Sequence, residues 1–431
     1  MTSAILFGSF FTLLAIGVPI GIALGTASLI AIAWIPFLNF DLYALGLISG
    51  IDSFTLIAVV LFTLAGNIMS QGGISRRLIR VADNVFGRAP GDLGTVTIMA
   101  CLFFAAISGT GSATVAAIGL AMIPALVARG YDRAYAGAMV ASAGGLGVMI
   151  PPSVVMIVYA VSAGVSVTAL FMAGIVPGIV IALTLIVYNI LRRRGVQAPA
   201  EPLPRATWRE TLSALNEAKL ALLMPLVVLG GIYAGIVTPT ESSAVAVVYA
   251  LIVSCFVYRE LPLRDLPTMM LESALLVSAV LVIIGASVAF GRIIALEQIP
   301  LELSQFVLGL TQSWIVVLLA AIVLLLIVGT FLETLAAIVI LTPVLLPVMT
   351  ELGVDPVHFG IVMIVALAIG FVTPPLGANL FMAAQVGRIP FDDIARRIFP
   401  WVVAMIVALL IIAFIPALSL GLPRIFLDYG D

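Results

Sequence analysis

Ser108-Gly109-Thr110-Gly111-Ser112-Ala113-Thr114 stands in the middle of an apolar run, 93–128, and Gly329-Thr330-Phe331-Leu332-Glu333-Thr334 stands in the middle of another, 313–350. The two insertions are related by an offset of 220 residues, which sets Gly109-Thr110 against Gly329-Thr330. The same offset sets Pro19 against Pro239 and Ala116-Ala117 against Ala336-Ala337. After a slip of three residues it sets Pro124 against Pro347, Pro151-Pro152 against Pro374-Pro375 and Pro177 against Pro400. Glycine and proline mark breaks in the backbone rather than generic lipid-facing filler. A colinear series of them marks an internal repeat.

Composition says where such a repeat sits. Of 431 residues, 63% are hydrophobic and 9% charged, whereas soluble domains carry about 45–50% apolar and about 25% charged residues. That excludes a water-soluble fold. Apolar runs such as 174–191 and 401–420 have the length that a ~30 Å hydrocarbon core demands of a helix. They lack the alternation of a membrane β-barrel. The sequence therefore predicts an all-α polytopic membrane protein. Cys101 and Cys255 lie in apolar stretches and read as small core residues, and one histidine, His358, cannot build a histidine metal site. No cleavable signal peptide is evident, and no polar stretch is long enough to fold as a ligand-capturing domain.

The two halves read alike. Residues 1–191 hold spans near 4–16, 20–36 and 54–70, an amphipathic basic stretch at 73–88, and the interrupted segment 93–128. A span at 131–165, broken by Gly144-Gly145-Leu146-Gly147 and Pro151-Pro152, and a span at 172–191 complete that half. A polar linker, 192–217, follows. Residues 218–421 hold spans near 219–236, 240–258 and 270–290, an amphipathic stretch at 291–304 and the interrupted segment 313–350. A span at 357–386, broken near Gly370 and Thr373-Pro374-Pro375, and a span at 399–420 close it, leaving a tail at 422–431.

If each interrupted segment is a re-entrant hairpin, each half crosses five times, and the second repeat is inverted relative to the first. With both termini in the periplasm, all but Arg292 and Arg424 of the 19 basic residues fall on the cytoplasmic side. Reading the hairpins as full crossings leaves that parity unchanged. Re-entrance rests instead on the polar tips, which need protein around them at membrane depth.

Inverted repeats with broken helices point to a secondary transporter with its site near the midplane. A helix interrupted there leaves carbonyls free at one end and N–H groups at the other. Carbonyls and hydroxyls suit a hard cation, and helix N-termini suit a carboxylate. The four breaks pair as 108–114 with 144–153 and 329–334 with 370–379. Two cation sites are expected, with Ser108, Gly109, Gly145, Gly147, Gly329, Thr334, Gly370 and Thr373 supplying carbonyl or hydroxyl oxygens. Between the tips, Thr110, Ser112, Ser153, Thr330, Glu333 and Asn379 are the candidate substrate ligands. Any one such motif is more often a packing device, because small residues let membrane helices approach closely. Matching polar breaks in both halves reverse that balance.

Glu333 sits at the second tip and can ligate a cation or carry a proton, as a membrane carboxylate does by default. Glu241 follows Thr238-Pro239-Thr240, where an acid at a helix start needs no further function. His358 reads as structural or interfacial, and Trp34 and Trp401 as interfacial anchors. No phosphate loop, HEXXH or nucleophile elbow is present, so the chain is not expected to be an enzyme.

Gly17-Val18-Pro19-Ile20-Gly21, the 108–114 motif, Gly144-Gly145-Leu146-Gly147-Val148-Met149-Ile150-Pro151-Pro152-Ser153, Thr238-Pro239-Thr240-Glu241 and Gly370-Phe371-Val372-Thr373-Pro374-Pro375-Leu376-Gly377 together carry a resemblance. Over residues 1–425 the chain resembles the large membrane subunit of tripartite ATP-independent periplasmic (TRAP) transporters, the DctM-like family. The resemblance implies Na⁺-driven import of an organic acid by an elevator mechanism in a bacterial inner membrane. C4-dicarboxylates, sialic acids, other sugar acids and keto acids are the substrates implied. It also implies a periplasmic solute-binding protein and a small four-helix membrane subunit, here expected on a separate chain. The alternative is a stand-alone Na⁺- or H⁺-coupled dicarboxylate or citrate carrier of similar fold. Residues 93–165 and 313–386 are expected to move against a frame made of the other spans and the two amphipathic stretches. The outer acids Asp41, Asp52, Glu297, Glu302, Glu351 and Asp355 are expected on the receptor's side.

Overall fold

A computed structural model describes residues 2–35, 39–86, 92–193 and 207–430. Residues 194–206 of the linker, with Arg194 and Arg205, and Arg88 before α6 lie outside the described residues. The first half runs α1 (Thr2–Ala15), α2 (Ile20–Trp34), α3 (Phe40–Ile51), α4 (Phe54–Gln71) and α5 (Ile74–Phe86). It continues with α6 (Asp92–Ser108), α7 (Gly111–Ala128), α8 (Arg133–Gly144), α9 (Leu146–Met149), α10 (Val154–Ala163) and α11 (Val167–Arg193). The second half runs α12 (Trp208–Tyr233), α13 (Pro239–Leu251), α14 (Leu266–Leu296), α15 (Ile299–Leu310), α16 (Trp314–Phe331) and α17 (Thr334–Glu351). It ends with α18 (Pro356–Gly370), α19 (Ala378–Gly387), α20 (Phe391–Phe414) and α21 (Ala417–Leu427). Among the described residues, nine helices are long and apolar enough to cross a membrane, or ten if the bent pair around Pro151-Pro152 is one span. The protein is all-α and multi-pass, as its sequence predicts.

Local chemistry sets the ends of these helices. Asp132 caps α8 by accepting from the Tyr135 N–H at 2.9 Å, and Asp355 caps α18 through the Val357 and His358 N–H groups. Thr238 and Glu241 form a reciprocal capping box at α13, so the carboxylate is accounted for by helix initiation. His358 is buried, its Nδ1 2.6 Å from Ser419 Oγ and its Nε2 3.2 Å from the Ala413 carbonyl. It ties α18 to the end of α20 and the first turn of α21 and is structural.

Packing builds a post and an arm. Gly46 and Gly50 of α3 let its backbone meet Ala289 and Gly285 of α14, and α2 packs on the same helix. The arm α5 is fastened by Arg77, whose guanidinium donates to Glu260 at 2.6 Å and lies 3.6 Å over the Tyr258 ring.

Four features differ from the sequence reading. The helix α3 was not foreseen; the break at Asp52-Ser53 divides one long segment into α3 and α4. With 14 and 15 residues, α1 and α2 reach only about 21–23 Å, short of a full crossing. The second amphipathic helix is 299–310 rather than 291–304, because α14 continues to Leu296 and Gln298 at φ 54° starts a new helix. Trp401 is no interfacial anchor: it is 0% exposed and packs edge-on against Tyr188 at 4.6 Å, whereas Trp34 is 60% exposed.

Trp401→Ala would leave a cavity at a fully buried position, at a cost of about 3–5 kcal/mol. Thermal unfolding in detergent should show a fall of several degrees, and an unchanged midpoint would contradict the buried position.

Candidate functional site

The first tip is a small cage of oxygens. Helix α6 stops at Ser108 because Gly109 turns the chain with φ +64°. A Cβ there would also stand 2.9 Å from the Pro152 carbonyl. Thr110, extended at φ −138°, is the residue from which α7 begins. Ser108 Oγ lies 2.8 Å from Thr114 Oγ1, and the Thr114 hydroxyl donates to the Thr110 carbonyl at 2.9 Å. Ser108 and Thr114 are both buried.

The broken span closes over this tip. The Val154 N–H donates to the Gly109 carbonyl at 3.4 Å, so α10 starts against the hairpin. The Ser153 hydroxyl donates to the Val148 carbonyl at 2.8 Å across the cis Pro151-Pro152 bond. Gly147 faces the Thr110 carbonyl and Thr114 Oγ1 so closely that a side chain would overlap both. Gly145 looks the other way, toward Met149 and Met405. Ser112 is half-buried on α7.

The second tip is built differently. Gly329 and Gly370 pack backbone to backbone, a Cβ on Gly329 falling 3.1 Å from Gly370 Cα. Thr330 Oγ1 donates to the Ile327 carbonyl at 2.7 Å, and Thr373 Oγ1 to the Ile369 carbonyl at 2.7 Å. Thr334 is buried with its hydroxyl unpartnered. Glu333 is exposed at the start of α17 and does not cap that helix.

Asn379 joins the two. It is the second residue of α19, is 0% exposed, and has no partner for either its Nδ2 or its Oδ1. A Cβ on Gly111 would stand 3.1 Å from that Nδ2, so the amide reaches from the second broken span to the first tip. A buried amide with four unmet hydrogen-bonding sites is costly. It lies beside the oxygen cage of the first tip, with hydrogen-bonding capacity that no protein group takes up.

Both expected break pairs are thus in contact. Thr114, Gly111 and Gly144 belong to the first tip and were not among the candidate residues. The signal for Thr114 was its four-residue spacing from Thr110, which puts both on one face of the new helix.

A bundle of broken helices meeting at polar, glycine-packed tips defines a multi-pass membrane transporter fold. In shape it is similar to the YdaH transporter of Alcanivorax borkumensis, with a TM-score of 0.66 at 15% identity, covering 93% of this chain and 98% of that one. Sequence goes further: residues 7–418 match the family of the tripartite ATP-independent periplasmic transporter, DctM component, and the chain belongs to it. It is 37% identical over 441 residues to the C4-dicarboxylate TRAP transporter large permease protein DctM of Rhodobacter capsulatus, covering 99% of each chain. It is 47% identical over 418 residues to the isethionate TRAP transporter permease protein DctMQ of Oleidesulfovibrio alaskensis. That match covers 96% of this chain and 65% of the longer relative.

Asn379→Leu replaces an unpartnered amide by an apolar side chain of similar size. In ligand-free protein it should raise the melting temperature by removing about 1–3 kcal/mol of desolvation penalty. The same variant should lose any stabilisation by Na⁺ or organic anion. A variant that is less stable without ligand, or is stabilised by ligand as much as wild type, would show the amide to be structural.

Proposed function

We propose that this chain is the ion-coupled, substrate-translocating subunit of a TRAP transporter for a small organic anion. It takes that anion from a periplasmic solute-binding protein and works with a small membrane subunit. The carrying observation is the first tip, where Ser108, Thr110 and Thr114 present hydroxyl and carbonyl oxygens beside the unpartnered Asn379 amide. Oxygen donors of that kind suit Na⁺. The second tip, with Thr334 and the Gly329–Gly370 contact, would hold a second ion. Relatives named for isethionate and for C4-dicarboxylates share negatively charged, small cargo, which defines the class to screen together with sialic acids and related sugar and keto acids. The residues expected between the tips, Thr110, Ser112, Ser153, Thr330, Glu333 and Asn379, remain the substrate candidates.

Packing supports an elevator motion and enlarges the moving part. The helix α11 packs on α21, α20, α6, α18, α9 and α10, and α20 packs on α8, α11, α18 and α19. They therefore group with the hairpins and broken spans, rather than with the frame of α1–α4 and α12–α14. The inverted repeats 1–191 and 218–421, and the periplasmic termini, complete this reading; the positive-inside asymmetry supports them.

In proteoliposomes holding the chain, its small subunit and its solute-binding protein, uptake should follow an inward Na⁺ gradient. Ser108→Ala should raise the Na⁺ concentration for half-maximal uptake by roughly tenfold, the worth of one charge-assisted ligand. Uptake that follows a pH gradient and ignores Na⁺ would overturn the coupling. Full uptake by this chain alone would assign it to the stand-alone carriers.

A further inference from the structure

At the end of the molecule that the charge distribution assigns to the cytoplasm, a cavity of about 530 Å³ opens between α8, the loop after α19 and the first turns of α20. Four arginines line it: Arg133, Arg388, Arg396 and Arg397. Two aspartates, Asp132 and Asp393, accompany them. One of these charges is partly satisfied, Arg397 Nε lying 3.6 Å from Asp132 Oδ1. Positive charge is therefore in excess within a single concavity. Arg388 is held there in the left-handed region, φ 50° and ψ 52°, where few non-glycine residues sit.

A second observation says what kind of anion fits. From Arg396 an exposed apolar stripe runs along α20: Phe399 is 70% exposed, Val403 45%, Val407 50% and Ile411 42%. Steps of three and four residues keep these side chains on one face of the helix. The basin thus stands at the head of a lipid-facing apolar track on the same helix. Guanidinium groups match phosphate oxygens in geometry as well as charge, and basic pockets between helices on the cytoplasmic side hold acidic headgroups.

We propose that this basin binds the phosphate of an anionic phospholipid, with one acyl chain lying along Phe399, Val403, Val407 and Ile411. The proposal rests on the sidedness given by the charges and is independent of the ion and substrate assignments. A free phosphate offers the same headgroup chemistry without the apolar track.

Native mass spectrometry of the full chain in neutral detergent tests it, with cardiolipin, phosphatidylglycerol, phosphatidylcholine and inorganic phosphate as probes. Cardiolipin and phosphatidylglycerol should bind in preference to phosphatidylcholine. Arg388→Asn combined with Arg396→Gln should weaken cardiolipin about 25-fold, about fivefold for each charge. Asn suits the left-handed backbone at 388. Arg264→Gln, at the same end of the molecule but outside the basin, should change little. Should the double variant not fold, Asp393→Asn keeps every arginine and should tighten cardiolipin binding by about fivefold. Equal binding of phosphatidylcholine, an equal loss in Arg264→Gln, or no tightening in Asp393→Asn would overturn the proposal. Phosphate binding with the same arginine dependence and no lipid preference would assign the basin to a soluble anion and overturn it too.

Discussion

Everything in this molecule follows from one constraint: in hydrocarbon, a backbone N–H or C=O without a partner costs several kcal/mol. A helix that stops at mid-membrane must hand its free groups to something. Here the breaks hand them to a facing break or close them within the same one. The Gly109 carbonyl takes the Val154 N–H, and the Phe371 carbonyl takes the Asn379 N–H. Side-chain hydroxyls at Ser153 and Thr373 close further carbonyls within each broken span. The polar tips are therefore compatible with an apolar surround, and what is left unpaired becomes available to a ligand.

That arrangement requires backbones to approach more closely than side chains allow. Gly147 lies against the Thr110 carbonyl, and Gly329 lies on Gly370. The glycines that make the sequence look like a set of tight helix packings are thus the same residues that bring carbonyl oxygens together. Packing and ligand geometry are not rival explanations at these positions. Close approach is the condition for an oxygen cage.

The broad fold was legible because its signals are chemical and periodic. Apolar run length gave the membrane, and the Pro151-Pro152 and Pro374-Pro375 pairs fall where the broken spans are interrupted. Glu241 read only as an acid at a helix start, and the structure makes it one half of a capping box with Thr238. What could not be read was orientation in three dimensions. Gly145 and Gly147 look equivalent in sequence, yet only Gly147 faces the tip. Trp401 looked like a membrane-surface aromatic, because nothing in the sequence reveals that Tyr135 and Tyr188 lie on either side of it. Asn379 was placed at its own break, but its reach to Gly111 depends on how two distant segments cross.

The two tips are chemically unequal, and that inequality bears on how coupling would work. The first tip satisfies most of its hydroxyls internally, Ser108 with Thr114 and Thr114 with the Thr110 carbonyl. It is preorganised, so a cation entering it reorients few groups and loses little entropy to ordering. The second tip presents a buried Thr334 hydroxyl with no partner and an exposed Glu333 beside it. Its oxygens gain a partner only when something binds. An ion at the first tip would therefore find a site already formed, whereas one at the second would help to form it. Asn379 reaches across from the second broken span to the first tip, so an ion at the first tip, on the function proposed, would meet a residue of the second half. One amide would then join the occupancy of the first tip to the second broken span, a link of the kind that coupling between sites requires.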